Sequence, residues 1–284
     1  RADVGGAHRT KIKLARRIVA GTRALQSVLQ SAERTVETWM GVALRAALND
    51  EEKQALGIAL YDDTFNPDND RDGLYPWEES WFSRRLPPPP ARVLIGAAGA
   101  GREAVVLERR GYTVVALEPS TRAAAHCAAA LGRGSSVVHA SYQDLIAALS
   151  GESDPPFPLT GDDRFDAVLL GWGSFGHLLR EEDRGRLLAA CSTVCPTGPI
   201  LLSVFRPNRA MRGRSTTGAV PVFLPWGGFL AEPTPEEISG HCTTLGRELV
   251  AALDADSPYF TLLSSQTVTT TDEPADRDPA VVER

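Results

Sequence analysis

The sequence predicts an α/β protein: a mostly parallel, twisted sheet with helices on both faces, preceded by an N-terminal helical extension. Three observations predict it. Short apolar runs alternate with helical stretches from about residue 91 onward. Four consecutive prolines, Pro87 to Pro90, form a stiff boundary between that region and a helical one before it. A Gly-rich turn then joins the first strand to the first helix of the sheet region. The division that follows is a helical segment over 1–86, a sheet domain over 87–270 and a disordered, Asp-, Pro- and Glu-rich tail over 271–284.

From Ile12 to Leu48 apolar residues recur at helical spacing, as in Leu25, Val28, Leu29, Ala32, Val36, Trp39, Ala43 and Ala47, which predicts one or two amphipathic helices. Residues 62–76 read as a loop, and Pro76 to Phe82 as a short helix. The strands expected are Arg92 to Ile95, Thr113 to Leu117, Ser136 to His139, Ala167 to Leu170 and Pro199 to Phe205. Between them lie helices over Arg102 to Arg110 and Thr121 to Leu131, with Gly111 and Gly132 as left-handed caps, and over Glu181 to Val194. Residues 151–163 read as a surface loop. A helix over Pro235 to Leu249, opened by Thr234, and a last strand over Tyr259 to Thr267 complete the pattern.

Composition excludes several functions. The net charge of -6 argues against a nucleic-acid backbone as partner. Cys127, Cys191, Cys195 and Cys242 form no CxxC pair, so neither a zinc nor a redox motif is supported, and no metal is expected. The sequence contains no apolar run of membrane-spanning length and no secretory leader, so a cytoplasmic address without membrane attachment is expected. It begins at Arg1 rather than Met, which reads as an N-terminus lacking part of its natural length. The basic residues Arg9, Lys11, Lys13, Arg16 and Arg17 read as a solvated face.

The chemistry concentrates in the stretch Val93-Leu94-Ile95-Gly96-Ala97-Ala98-Gly99-Ala100-Gly101-Arg102-Glu103. Small residues there let backbone approach a ligand closely, and the helix that follows offers unpaired N–H groups to a carboxylate or phosphate. Seventeen residues after Gly101, the second strand ends in Glu118-Pro119-Ser120, which puts a carboxylate at the sheet edge beside the turn. Such a carboxylate can accept both ribose hydroxyls of an adenosine cofactor.

Together with Phe165-Asp166-Ala167-Val168-Leu169-Leu170-Gly171-Trp172 and its continuation to Leu178, this order resembles the class I S-adenosylmethionine-dependent methyltransferases over about residues 91–206. The resemblance implies a Rossmann-like methyltransferase fold, S-adenosyl-L-methionine as cofactor and S-adenosyl-L-homocysteine as product. It also implies cofactor contacts by Ala97, Ala98, Gly99 and Gly101 in the turn, by Glu118 and Pro119 at the second strand, and by Gly171 and Trp172 at the fourth. Ser141 and Tyr142, after the third strand, fall where the family contacts adenine, with Asp144 read as the cap of the next helix. Similar enzymes fold their N-terminal segment over the cofactor; Tyr61, Tyr75, Trp77 and Glu78 fall in that segment here, and Tyr75 and Trp77 are expected to line the lid.

Two positions depart from the family pattern: Ala97 stands at its usual first glycine, and Ile95 at a common acidic position. His177 is the candidate general base or acceptor contact. Phe175 is expected to wall the acceptor site, and Arg206 and Arg209 to recruit an anionic group on the acceptor. The acceptor expected is a small molecule or peptide-derived natural product methylated on O, N or S, with oligomeric state left open. Two rivals remain. Gly99-Ala100-Gly101-Arg102-Glu103-Ala104 formally fits the G-x-G-x-x-A turn of NAD(P)-dependent oxidoreductases. A methyltransferase-like protein that binds without catalysis is the other.

Overall fold

The computed structural model describes residues 4–67, 73–150, 159, 163–171, 173–204, 221–251 and 259–264. Two helices open the chain, α1 (Val4–Ala47) and α2 (Asp50–Thr64), separated by a sharp start to the second. Asn49 caps α2: its side chain accepts from the Glu52 N–H at 2.9 Å, while the Glu52 carboxylate accepts from the Asn49 N–H at 2.8 Å. The Asp-containing stretch read as a loop from residue 62 is therefore still helical to Thr64. α3 (Pro76–Arg85) starts with proline, whose missing N–H costs nothing in a first turn.

The sheet region then alternates as β1 (Arg92–Gly96), α4 (Arg102–Arg109), β2 (Thr113–Glu118), α5 (Thr121–Ala130), β3 (Ser136–His139), α6 (Tyr142–Leu149) and β4 (Ala167–Leu170). A 3-10 turn at Phe175–His177 leads to α7 (Glu181–Val194) and β5 (Ile200–Ser203). The chain continues through β6 (Val222–Leu224), β7 (Gly228–Leu230), α8 (Pro235–Thr244), β8 (Arg247–Ala251) and β9 (Tyr259–Ser264). The seven-stranded sheet runs in the order β3-β2-β1-β4-β5-β9-β8. β1 to β5 pair in parallel, and β9 lies antiparallel between β5 and β8. β6 and β7 make a separate hairpin.

Parallel strands covered on both faces must be apolar on both, and these are. Leu94, Leu117, Leu170, Ile200 and Leu202 face one core, which α6 and α7 close with Leu145, Leu187 and Leu188. Val93, Ile95, Ala116, Leu169 and Leu201 face the other, closed by Leu107 of α4 and by Trp81 and Phe82 of α3. Trp81 is 2% exposed, and its indole N–H donates to the Thr261 hydroxyl of β9 at 3.0 Å, so α3 is bound to the sheet itself. Ile95 thus fills a core position, which explains why no acid stands there.

Some expectations are corrected. The helix read to Leu249 stops at Thr244, because Gly246 takes a left-handed φ of 63° and turns the chain into β8. Gly111 is left-handed at φ 93° as expected, but Gly132 is not. Its N–H is taken by the Glu108 carboxylate at 2.8 Å instead. Ser141, rather than Asp144, caps α6: its hydroxyl accepts from the Asp144 N–H, and Asp144 returns a carboxylate to the Ser141 N–H at 2.7 Å. The fifth strand is shorter than read, Ile200–Ser203. The tail 271–284 and nearly all of 151–163 lie outside the described residues. Among the described residues no helix is long and apolar enough to cross a membrane.

Candidate functional site

The glycine turn is shaped by close contacts. A Cβ on Gly96 would lie 2.5 Å from the Tyr142 ring, and one on Gly101 would lie 2.6 Å from Cys127 Sγ. Ala97, Gly99 and Gly101 all take positive φ, at 52°, 57° and 92°. A left-handed conformation disfavours a residue with a Cβ, so Ala97 carries strain that the family's glycine would not. The turn is anchored by the Ala98 N–H to the Leu117 carbonyl at 3.0 Å and by the Gly101 N–H to the Ala98 carbonyl at 2.9 Å.

Glu118 faces this turn. Its two carboxylate oxygens divide the work: one accepts from the Gly99 N–H at 2.7 Å and the other from the Ser120 N–H at 2.8 Å. The residue is only 2% exposed. Burial pushes its pKa above the usual carboxylate value, and the two N–H donors partly offset that by favouring the charged form. Ser120 also caps α5, accepting from the Ala123 N–H at 3.1 Å.

The end of α2 lies beside the turn and the start of α5. The Tyr61 hydroxyl lies 3.0 Å from where a Gly99 Cβ would be. Asp62 accepts from the Ser120 hydroxyl at 2.5 Å and from the Arg122 N–H at 2.9 Å, while the Arg122 guanidinium donates to the Asp62 carbonyl at 2.8 Å. Phe65 meets the His126 ring edge-on and lies under Arg122. The aromatic cover over the turn is thus Tyr61. Tyr75 and Trp77 stack on each other at 6.1 Å beside Arg102. Arg102 donates to both oxygens of the buried Glu78 at 2.5 and 2.6 Å and to Glu103 at 2.5 Å, which ties α3 to the start of α4.

The exit of β4 supplies the other wall. Gly171 leads into a turn closed by the Ser174 N–H on its carbonyl at 3.0 Å, and the Gly173 N–H donates to the Ser203 hydroxyl at 2.6 Å. Tyr142 and Ser174 share a buried hydroxyl bond at 2.7 Å, so Tyr142 backs Gly96 from within the core, its pKa pushed up by burial. Phe175, expected to wall the acceptor site, is fully buried in the same core, packed among its apolar residues. Ser141 lies at the cap of α6, and Pro119 beside Glu118, with its carbonyl accepting from or facing the His139 ring at 2.9 Å.

His177 is different. Its imidazole is reached by solvent, yet protein encloses it closely enough to pull its pKa down to about 4. Among the described residues neither ring nitrogen has a hydrogen-bond partner, and Nδ1 lies 4.0 Å from where a Gly57 Cβ would be. Gly57 of α2 also touches Gly228 of β7: a Cβ on Gly228 would come within 2.6 Å of the Gly57 Cα. Arg184 fixes the far side by donating to the Leu178 carbonyl at 2.7 Å and pairing with Glu237 at 2.6 Å. Trp172, Arg206 and Arg209 lie outside the described residues. Among the described residues no group of three His, Cys, Asp or Glu side chains is placed to hold a metal.

The sequence places Tyr61 in the covering segment but not among its lining residues, and does not single out Asp62. The available signal was their position at the end of a helix that begins with a strong cap, but their partners lie about forty to sixty residues away.

No family model matches the chain, and no curated protein matches it. Solved structures do. The CcbJ methyltransferase from Streptomyces caelestis is 19% identical with a TM-score of 0.50, over 73% of this chain and 96% of its own. Magnesium protoporphyrin IX methyltransferase (ChlM) from Synechocystis PCC 6803, solved with bound SAM, is 13% identical with a TM-score of 0.50, over 78% of this chain and 99% of its own. At such identities the likeness is one of architecture. With its strand order, its antiparallel β9 and these neighbours, the chain has the Rossmann-like fold of the class I S-adenosylmethionine-dependent methyltransferases.

Proposed function

We propose that the protein is an S-adenosylmethionine-dependent methyltransferase acting on a small molecule or peptide-derived natural product. The observation that carries this reading is the buried Glu118 carboxylate, oriented by the Gly99 and Ser120 N–H groups at the carboxyl edge of β1 and β2. Each oxygen has one N–H donor and a second lone pair, so the group suits a pair of ribose hydroxyls. Ala97, Ala98, Gly99 and Gly101 would hold the methionine end, Gly171 would border the methyl group, and Tyr61 would cover it. Pro119, Ser141 and Tyr142 would frame the adenine. Trp172 is proposed at the same border on its position after β4, and Tyr75 and Trp77 support the segment from beside Arg102.

When bound, the cofactor supplies a methyl group already activated on a positive sulfur, whose departure as a neutral thioether requires no acid. The chain therefore contributes position, dryness and a proton acceptor. The burial around Glu118 and Ser120 excludes water from one side. His177, whose pKa the enclosing protein lowers from its ordinary value, would present an imidazole lone pair to take the proton that an O–H, N–H or S–H acceptor must lose. Arg206 and Arg209 are proposed to receive an anionic group on the acceptor.

Isothermal titration calorimetry with S-adenosylhomocysteine and with NADH tests the reading. Micromolar binding of the first and none of the second is expected. The reverse result would make the protein an oxidoreductase, and no binding of either would leave a scaffold without cofactor.

A further inference from the structure

α2 reaches both halves of the crevice. Near its middle, Gly57 lies beside the His177 ring and against Gly228. One turn later Tyr61 stands over Gly99, and Asp62 grips Ser120 and Arg122 at the start of α5. A helix advances only about 1.5 Å per residue, so these two contacts are roughly 7 Å apart on one stiff rod. It cannot lift one end without tilting the other. Glu118 and Ser120 are 2% and 1% exposed, and Asp62 of α2 bonds the Ser120 hydroxyl beside that carboxylate.

We propose that Asp62 is a positioning residue, the latch that holds α2 closed over the cofactor crevice. α2 swings off α5 to admit or release the cofactor. The same helix passes beside the His177 ring at Gly57, so its swing moves that contact as well. This inference rests on the cofactor reading above. The latch is built from three bonds: two accepted by the Asp62 carboxylate and one returned by Arg122 to the backbone carbonyl. Phe65, beneath the Arg122 guanidinium, adds apolar cover at the C-terminal end of α2.

The test is stopped-flow binding of S-adenosylhomocysteine to the full chain, read by intrinsic tryptophan fluorescence, in wild type, Asp62→Ala and Asp62→Asn. A gate speeds traffic in both directions. In Asp62→Ala the dissociation rate should rise roughly tenfold, the scale set by losing charge-assisted bonds. The association rate should rise as well. Asp62→Asn should lie between the two, since its amide oxygen still accepts. Simple loss of structure would weaken binding without faster association. Rates in Asp62→Ala within twofold of wild type, or slower association, overturn the latch while leaving the cofactor reading intact. Absence of binding by wild type overturns both. Should Asp62→Ala fail to fold, Arg122→Gln removes the returning bond from the other side and is held to the same outcomes.

Discussion

Replacing Glu118 by Gln changes one atom and removes one charge, and its consequences can be worked from the two bonds described above. The carboxylate offers a separate oxygen to each of two buried N–H groups, at 2.7 and 2.8 Å. An amide offers one oxygen and one NH2, so either Gly99 or Ser120 would face a donor. An unpaired buried donor costs about 1–3 kcal/mol, and removal of the desolvated charge offsets part of it, which puts the loss of apo stability near 1 kcal/mol. Binding suffers separately. Hydrogen bonds from ribose hydroxyls to a charged acceptor contribute about 1.5–3 kcal/mol each, and a neutral amide keeps only part of one, so affinity for S-adenosylhomocysteine should fall roughly 10- to 100-fold. Calorimetry measures the second quantity and urea unfolding the first. Affinity within threefold of wild type in a folded Glu118→Gln protein would show that the carboxylate does not hold the ligand.

Other outcomes follow from the same geometry. Ala97→Gly should stabilise the protein by about 0.5–1 kcal/mol in urea unfolding, since glycine relieves the positive φ at some entropic cost; a loss of stability would show the strain to be absent. His177→Gln should leave cofactor affinity unchanged and lower turnover roughly 10²- to 10⁴-fold once an acceptor is in hand, whereas equal loss of both would assign the ring to binding. Because the protein around it lowers the His177 pKa to about 4 from 6.5, the unfolded chain takes up this proton first as pH falls. Its contribution to stability is present above pH 6.5 and is lost as pH drops toward 4, a trend that His177→Gln should flatten in thermal unfolding. Glu118 runs the other way, with a folded pKa raised above 4.5, so its contribution is full below 4.5 and is lost as pH rises through the folded value. Over that window cofactor binding should strengthen and release a proton, visible by calorimetry in buffers of different ionisation enthalpy; proton uptake would contradict it.

The parallel core was legible because its strands are brief apolar runs punctuated by turn residues. β3, β4 and α7 have the bounds expected for them, and the turn with Glu118 beside it could be read from local spacing alone. What escaped is non-local or very short. β8 follows α8 across a single left-handed glycine, and its Leu249 and Val250 continue an apolar rhythm that reads as helix. β6 and β7 have three residues each, below the length at which alternation is visible. Phe175 sits beside His177 in sequence but turns into the core, because a 3-10 turn sends neighbouring side chains in different directions. Tyr61 and Asp62 find their partners in the turn after β1 and at the start of α5 only once the sheet exists.

The indole bond between Trp81 and Thr261 has a consequence for biogenesis. The tryptophan leaves the ribosome early, yet its acceptor belongs to a strand synthesised 180 residues later. That strand also fills the slot between β5 and β8, so the nascent sheet keeps an open edge at β5 until translation reaches residue 264. Until then the polypeptide exposes both a large aromatic ring and an unpaired edge, the combination that invites aggregation or chaperone capture.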